Sequence, residues 1–153
     1  MRTFLTDELP TWMTSRSGVS RSAGKRANIG MSFGAKDALD AAISSGGAPC
    51  APFDRLGLLI PGRRIGRADL DAIAERRNHH LRVSIWAAQY DRANVATARS
   101  VRQALADAGH TVDSTEVPEA HSAVTWTNHL RVVLVSLFGP ASAKASPRGG
   151  WLV

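Results

Sequence analysis

Apolar residues along this chain recur at two different spacings, and the switches between them divide it into elements. Residues 3–14 place Phe4, Leu5, Leu9, Trp12 and Met13 on one helical face, with Pro10 expected to kink the helix. A polar Ser/Gly/Arg loop follows; residues 25–31 then read as a short strand entering a glycine-flanked turn, and residues 36–44 as a helix carrying Ala38, Leu39, Ala42 and Ile43. Residues 46–52 read as loop, residues 53–60 as a buried strand closed by Pro61-Gly62, and residues 69–77 as a helix. The clearest strand is residues 81–88, LRVSIWAA. Residues 94–108 bring Val95, Ala98, Val101, Leu105 and Ala108 to one side of a helix that Gly109 should stop. Residues 111–117 alternate enough for a fourth strand. A last helix over residues 125–138 aligns Leu130, Val133, Leu134, Leu137 and Phe138 before Gly139-Pro140.

Strands alternating with helices, with no internal repeat, predict an α/β architecture: a mainly parallel sheet flanked by helices. One domain is expected over residues 1–139, with residues 140–153 a disordered tail. The chain has 153 residues, 44% of them hydrophobic and 21% charged, enough to bury a sizeable core.

Charge narrows the functional classes. The formal net charge is +6, mostly from arginine, which raises the question of an anionic partner. The basic residues are scattered, however: Arg16, Arg21, Lys25 and Arg26 early, Arg63, Arg64 and Arg67 in the middle, Arg76 and Arg77 on a helix. Without aromatic interleaving or zinc-ligand spacing, no nucleic-acid partner is expected. Cys50 is alone, which excludes an internal disulfide and any multi-cysteine metal site; it reads as a free thiol beside a loop, and no metal or cofactor is expected. The first residues hold no apolar run of signal-peptide length, and no stretch approaches the ~18 apolar residues of a membrane span, so the chain as it stands reads as cytoplasmic.

The candidate chemistry lies in Gly30-Met31-Ser32-Phe33-Gly34, which fits GxSxG. In a nucleophile elbow the glycines permit a strained strand-to-helix turn that lifts the serine hydroxyl clear of the backbone, and here the motif falls between a strand and a helix. A serine hydroxyl is a poor nucleophile at neutral pH; it needs a histidine base, and the histidine needs a carboxylate. Both should follow the serine, acid first. Asp91 comes just after the third strand and His121 just after the fourth, so the order Ser32, Asp91, His121 is the expected one. The three should converge at the carboxyl ends of adjacent parallel strands. Each residue has a plainer role open to it: Ser32 as a turn serine, Asp91 as a helix cap, and His121 as a loop histidine like His79, His80, His110 and His129.

Two further stretches carry a family resemblance. The run Phe4-Leu5-Thr6-Asp7-Glu8-Leu9-Pro10-Thr11-Trp12, followed by Ile29-Gly30-Met31-Ser32-Phe33-Gly34, resembles the esterase family of α/β-hydrolases that contains the mycobacterial mycolyltransferases, the enterochelin esterases and the S-formylglutathione hydrolases. Val117-Pro118-Glu119-Ala120-His121-Ser122, with Trp126 behind it, is similar to that family's closing histidine motif. The resemblance implies Ser32 as nucleophile, His121 as base and the Phe33 N–H as one oxyanion donor. It implies Asp91 as the acid of the esterase branches. Mycolyltransferases use a glutamate on the following helix, and residues 94–108 contain none. The expected activity is hydrolysis of a small-molecule ester through an acyl-enzyme, with acyl transfer to a sugar as the alternative and a non-catalytic remnant as a third reading.

Members of that family place on the order of a hundred residues before the elbow, including a strand and loop that donate the second oxyanion N–H. The fold class implied is therefore a partial α/β-hydrolase lacking its N-terminal strands. Self-association through the exposed sheet edge is expected, and a longer relative carrying a leader would be secreted.

Overall fold

The second and third strands are apolar almost without interruption, a pattern that requires cover on both faces. The computed structural model, which describes residues 4–16, 18–20, 22–45, 53–62, 65–75 and 80–139, supplies that cover. Strands β1 (Ala27–Met31), β2 (Arg55–Leu59), β3 (Arg82–Ala88) and β4 (Thr111–Val117) form one sheet in the order β1-β2-β3-β4, every neighbouring pair parallel. Five α-helices accompany them: α1 (Leu9–Arg16), α2 (Phe33–Ser45), α3 (Arg67–Glu75), α4 (Arg92–Asp107) and α5 (Ala123–Phe138). The α/β expectation holds, and each predicted strand and helix from residue 25 onward has its counterpart.

Parallel strands in sequential order send their crossover helices to one face of the sheet. Accordingly α2, α3 and α4 bury Leu39, Ile73, Val101 and Leu105 with Leu56, Leu58, Val83 and Ile85. The alternate residues Leu59 and Trp86 face the other way and pack with Val133 and Leu137 of α5. Gly57 permits that docking. A Cβ there would lie 3.0 Å from Ile29 Cγ2 and 3.3 Å from Val133 Cγ1, so a larger residue would push α5 off the sheet.

The helix ends show local chemistry at work. Asp91 caps α4 by accepting from the Asn94 N–H, and Gly109, at φ 89°, closes it with paired bonds from the Gly109 and His110 N–H groups to Ala106 and Leu105. Arg55 and Arg82, at the amino ends of β2 and β3, donate to the carbonyls of Leu137 and Gly139 at the end of α5, and Arg55 stacks on Phe138 at 4.9 Å. Part of the positive charge thus serves the fold.

Several expectations need correction. In the N-terminal segment a π-helical turn, Phe4–Glu8, runs directly into α1, with Pro10 just past the junction. The expected apolar face is not buried; Phe4, Trp12 and Met13 are 48%, 54% and 38% exposed. On α5, Val133 and Leu137 are buried, but Leu134 and Phe138 are exposed. His129 is not a loop residue; it lies within α5. Cys50, His79, Arg76, Arg77 and the 140–153 tail lie outside the described residues. Among the described residues no helix is long and apolar enough to cross a membrane.

Candidate active site

Because all four strands are parallel, the loops that follow them open at the same end of the sheet, the carboxyl end, where open α/β sheets place their sites. Ser32 follows β1, Ile60 follows β2, Asp91 follows β3, and His121 follows β4. The opposite end holds a cavity of about 180 Å³, lined by Leu9, Met13, Arg26, Asn28 and Phe53; its position excludes it as the space in front of Ser32.

Ser32 has φ 53°, in the left-handed region that non-glycine residues rarely adopt. It is held there from three sides: its N–H donates to the Leu59 carbonyl at 3.0 Å, and its carbonyl accepts from the Ala35 and Gly62 N–H groups at 3.2 and 3.4 Å. Helix α2 begins one residue later, so the Phe33 N–H belongs to its first turn, where the helix dipole favours negative charge. Two residues before the serine, Gly30 passes against the start of that helix. A Cβ on Gly30 would lie 1.9 Å from the Gly34 carbonyl oxygen and 2.7 Å from the Ala35 nitrogen. Nothing but glycine fits, whereas Gly34 has open space around its Cα. Gly30→Ala is expected to destabilise the fold by roughly 3 kcal/mol or more, since the clash is backbone on backbone and no rotamer relieves it. A thermal melting midpoint equal to that of the parent would contradict this turn geometry.

Asp91 and His121 are brought together. Asp91 Oδ2 lies 3.2 Å from His121 Nδ1, while the same carboxylate caps α4 through Oδ1. The capping and functional readings of Asp91 are therefore compatible. Buried Asn94 joins them, with Nδ2 2.6 Å from both Asp91 Oδ2 and His121 Nδ1. Sequence reasoning passed over this residue, although its place three positions after a capping aspartate is a legible signal.

The loop carrying His121 is anchored on both sides. The Tyr90 N–H donates to the Glu119 carbonyl at 3.2 Å, tying it to the Asp91 turn, and Thr125 Oγ1 donates to the Ala120 carbonyl at 2.8 Å. Glu119 Oε1 lies 2.9 Å from His129 Nε2, and the His129 ring stacks on Trp86 at 4.8 Å. Hydrogen bonding from His129, then from Thr125, holds the Glu119 carboxyl below the usual carboxylate range. Trp126, five residues beyond His121, packs against the core between β3 and α5.

The expectation of adjacent strands is corrected by the sheet order. β1 and β4 are the outer strands of the described sheet, so β2 and β3 stand between Ser32 and His121, about 14 Å from axis to axis at the usual strand spacing. Among the described residues no hydrogen bond joins the two side chains. The acid and base form a unit; the serine is presented separately at the same end. No group of three or more potential metal ligands occurs among the described residues.

No family model matches the chain, and no curated protein matches it in sequence. Solved structures do match it in fold. The enterochelin esterase of Shigella flexneri superposes with a TM-score of 0.71 at 18% identity, covering 90% of this chain and 36% of that one. The enterobactin esterase of Shigella flexneri with 2,3-dihydroxy-N-benzoyl-glycine gives 0.72 at 19% identity, with 88% and 37% covered. The ferric enterobactin esterase of Salmonella typhimurium gives 0.69 at 19%, with 88% and 35% covered. The chain therefore has the α/β fold found in the enterochelin esterases and spans little more than a third of their length.

Proposed function

We propose that this chain carries the catalytic elements of a serine ester hydrolase, with Ser32 as nucleophile. The observation that carries the reading is the left-handed turn at Ser32 between β1 and α2, made possible by a Gly30 that admits no side chain. Such strain persists only where surrounding structure enforces it, and it presents the hydroxyl at the mouth of the sheet. In the reaction His121 takes the proton from Ser32 as the oxygen attacks the ester carbonyl, and Asp91 supports the imidazolium. The Phe33 N–H receives the developing oxyanion. The alcohol leaves with the proton returned by His121, and water resolves the acyl-enzyme. Exposed Phe33 and Tyr90 flank this end with apolar surface suited to a small organic ester. Helix α4 contains no glutamate, which favours the esterase arrangement over mycolyl transfer.

The placing of Ser32 and His121 after the two outer strands of the described sheet favours a second reading, a non-catalytic remnant, because proton transfer needs their side chains within hydrogen-bond reach. A fluorophosphonate probe separates the two. Mass-spectrometric mapping is expected to place the phosphonyl adduct on Ser32 and to find none on Ser32→Ala. An unlabelled parent chain would leave the remnant reading standing.

A further inference from the structure

The geometry points to Asn94 as a positioning residue that sets the tautomer of His121. Its kinetic consequence rests on the esterase reading above; its structural basis does not. Asn94 is the third residue of α4, where helix geometry aims a side chain back at the capping Asp91, and it is only 3% exposed.

Charge decides which way the amide faces. Turning it over would set its carbonyl oxygen 2.6 Å from Asp91 Oδ2, two acceptors with no hydrogen between them. With the NH2 group inward, one hydrogen goes to Asp91 Oδ2 and the other to His121 Nδ1, each at 2.6 Å. A ring nitrogen that accepts a hydrogen bond carries no proton, so the neutral imidazole bears its hydrogen on Nε2. A general base toward a serine hydroxyl needs the reverse: a bare Nε2, with Nδ1–H donating to the carboxylate.

Asn94 thus holds His121 in a resting tautomer and occupies the carboxylate that would draw the proton to Nδ1. The Asp91–His121 contact, at 3.2 Å, is the longer of the two that reach Nδ1. Moving the proton to Nδ1 requires the Asn94 amide to leave its contact with the ring.

The test uses the full chain. 15N-edited NMR at about pH 8, where an ordinary imidazole is neutral, is expected to show His121 as the Nε2–H tautomer in the parent. Asn94→Leu, which keeps the volume without hydrogen bonding, should shift it to Nδ1–H. In p-nitrophenyl acetate hydrolysis the same variant should raise kcat about tenfold with KM unchanged, the wrong tautomer being costly to a histidine base. Asn94→Ala, checked by far-UV circular dichroism, serves if the leucine variant fails to fold. An Nδ1–H tautomer in the parent, or an unchanged tautomer in the folded variants, overturns the assignment. A tautomer shift with no turnover above that of Ser32→Ala sinks the esterase reading and leaves the role of Asn94 supported.

Discussion

Ser32→Ala is expected to abolish acyl-enzyme formation and the serine-dependent ester hydrolysis with it, a loss that reaches about 10⁶-fold in a complete triad. On the proposed mechanism the hydroxyl forms the covalent bond, and an alanine methyl would fill the same strained position without a nucleophile. Asp91→Asn should behave differently. On the proposed mechanism it leaves Ser32 and the Phe33 N–H intact and removes the charge that supports the His121 imidazolium, so activity should fall and still exceed that of Ser32→Ala. It also tests the double duty of Asp91, because asparagine caps a helix nearly as well as aspartate and α4 should stay folded. The measurements are p-nitrophenyl butyrate turnover and thermal melting on the same preparations. Hydrolysis by Ser32→Ala at the parent rate would place the nucleophile elsewhere.

The second large effect concerns the edge of the sheet at β1. The chain spans 36% of the Shigella flexneri enterochelin esterase. In α/β-hydrolases the second oxyanion N–H comes from a loop after an earlier strand than the elbow's. On the proposed mechanism, a second oxyanion N–H supplied in trans by the further part of such an esterase is expected to raise turnover ~10²–10³-fold, the amount that one oxyanion donor is worth. The same addition should change the association state. β1 pairs with β2 alone among the described strands, and Phe4, Trp12 and Met13 of the N-terminal helical segment are exposed, so the isolated chain is expected to self-associate through that edge. Sedimentation velocity should then show larger species for the chain alone and a defined complex with the added segment. A monodisperse monomer whose turnover does not change on addition would show that these residues work without that segment.

The polar edge at β4 contrasts with β1. Thr111, Asp113, Ser114 and Glu116 line β4, and Glu116 is bound by Arg99 through two contacts at 2.7 and 2.8 Å. Charged side chains of this kind discourage strand pairing, which is why association is expected at one edge of the sheet and not at both.

Sequence by itself determined the elements, because their signals are local. The residues of LRVSIWAA and RLGLL are apolar enough to demand burial on both faces, and Val95, Ala98, Val101 and Leu105 recur with the period of a helix; all six of the named residues Leu56, Val83, Val95, Ala98, Val101 and Leu105 are buried. The turn at Ser32 was legible for the same reason, since its backbone demands fall on Gly30 and Ser32, two residues apart. Tertiary structure alone decided what depends on neighbours distant in sequence. Nothing in the period of α5 reveals which of its flanks other elements cover, so the exposure of Leu134 and Phe138 was hidden. The strand order put β2 and β3 between Ser32 and His121, a separation invisible to motif order. The placing of Asn94 between Asp91 and His121, and of Glu119 against His129, arises where a helix end and a loop meet across 27 and 10 residues of chain. Polar contacts of that kind leave no periodic trace, because each needs only one side chain at one place, and the fold determines where that place is.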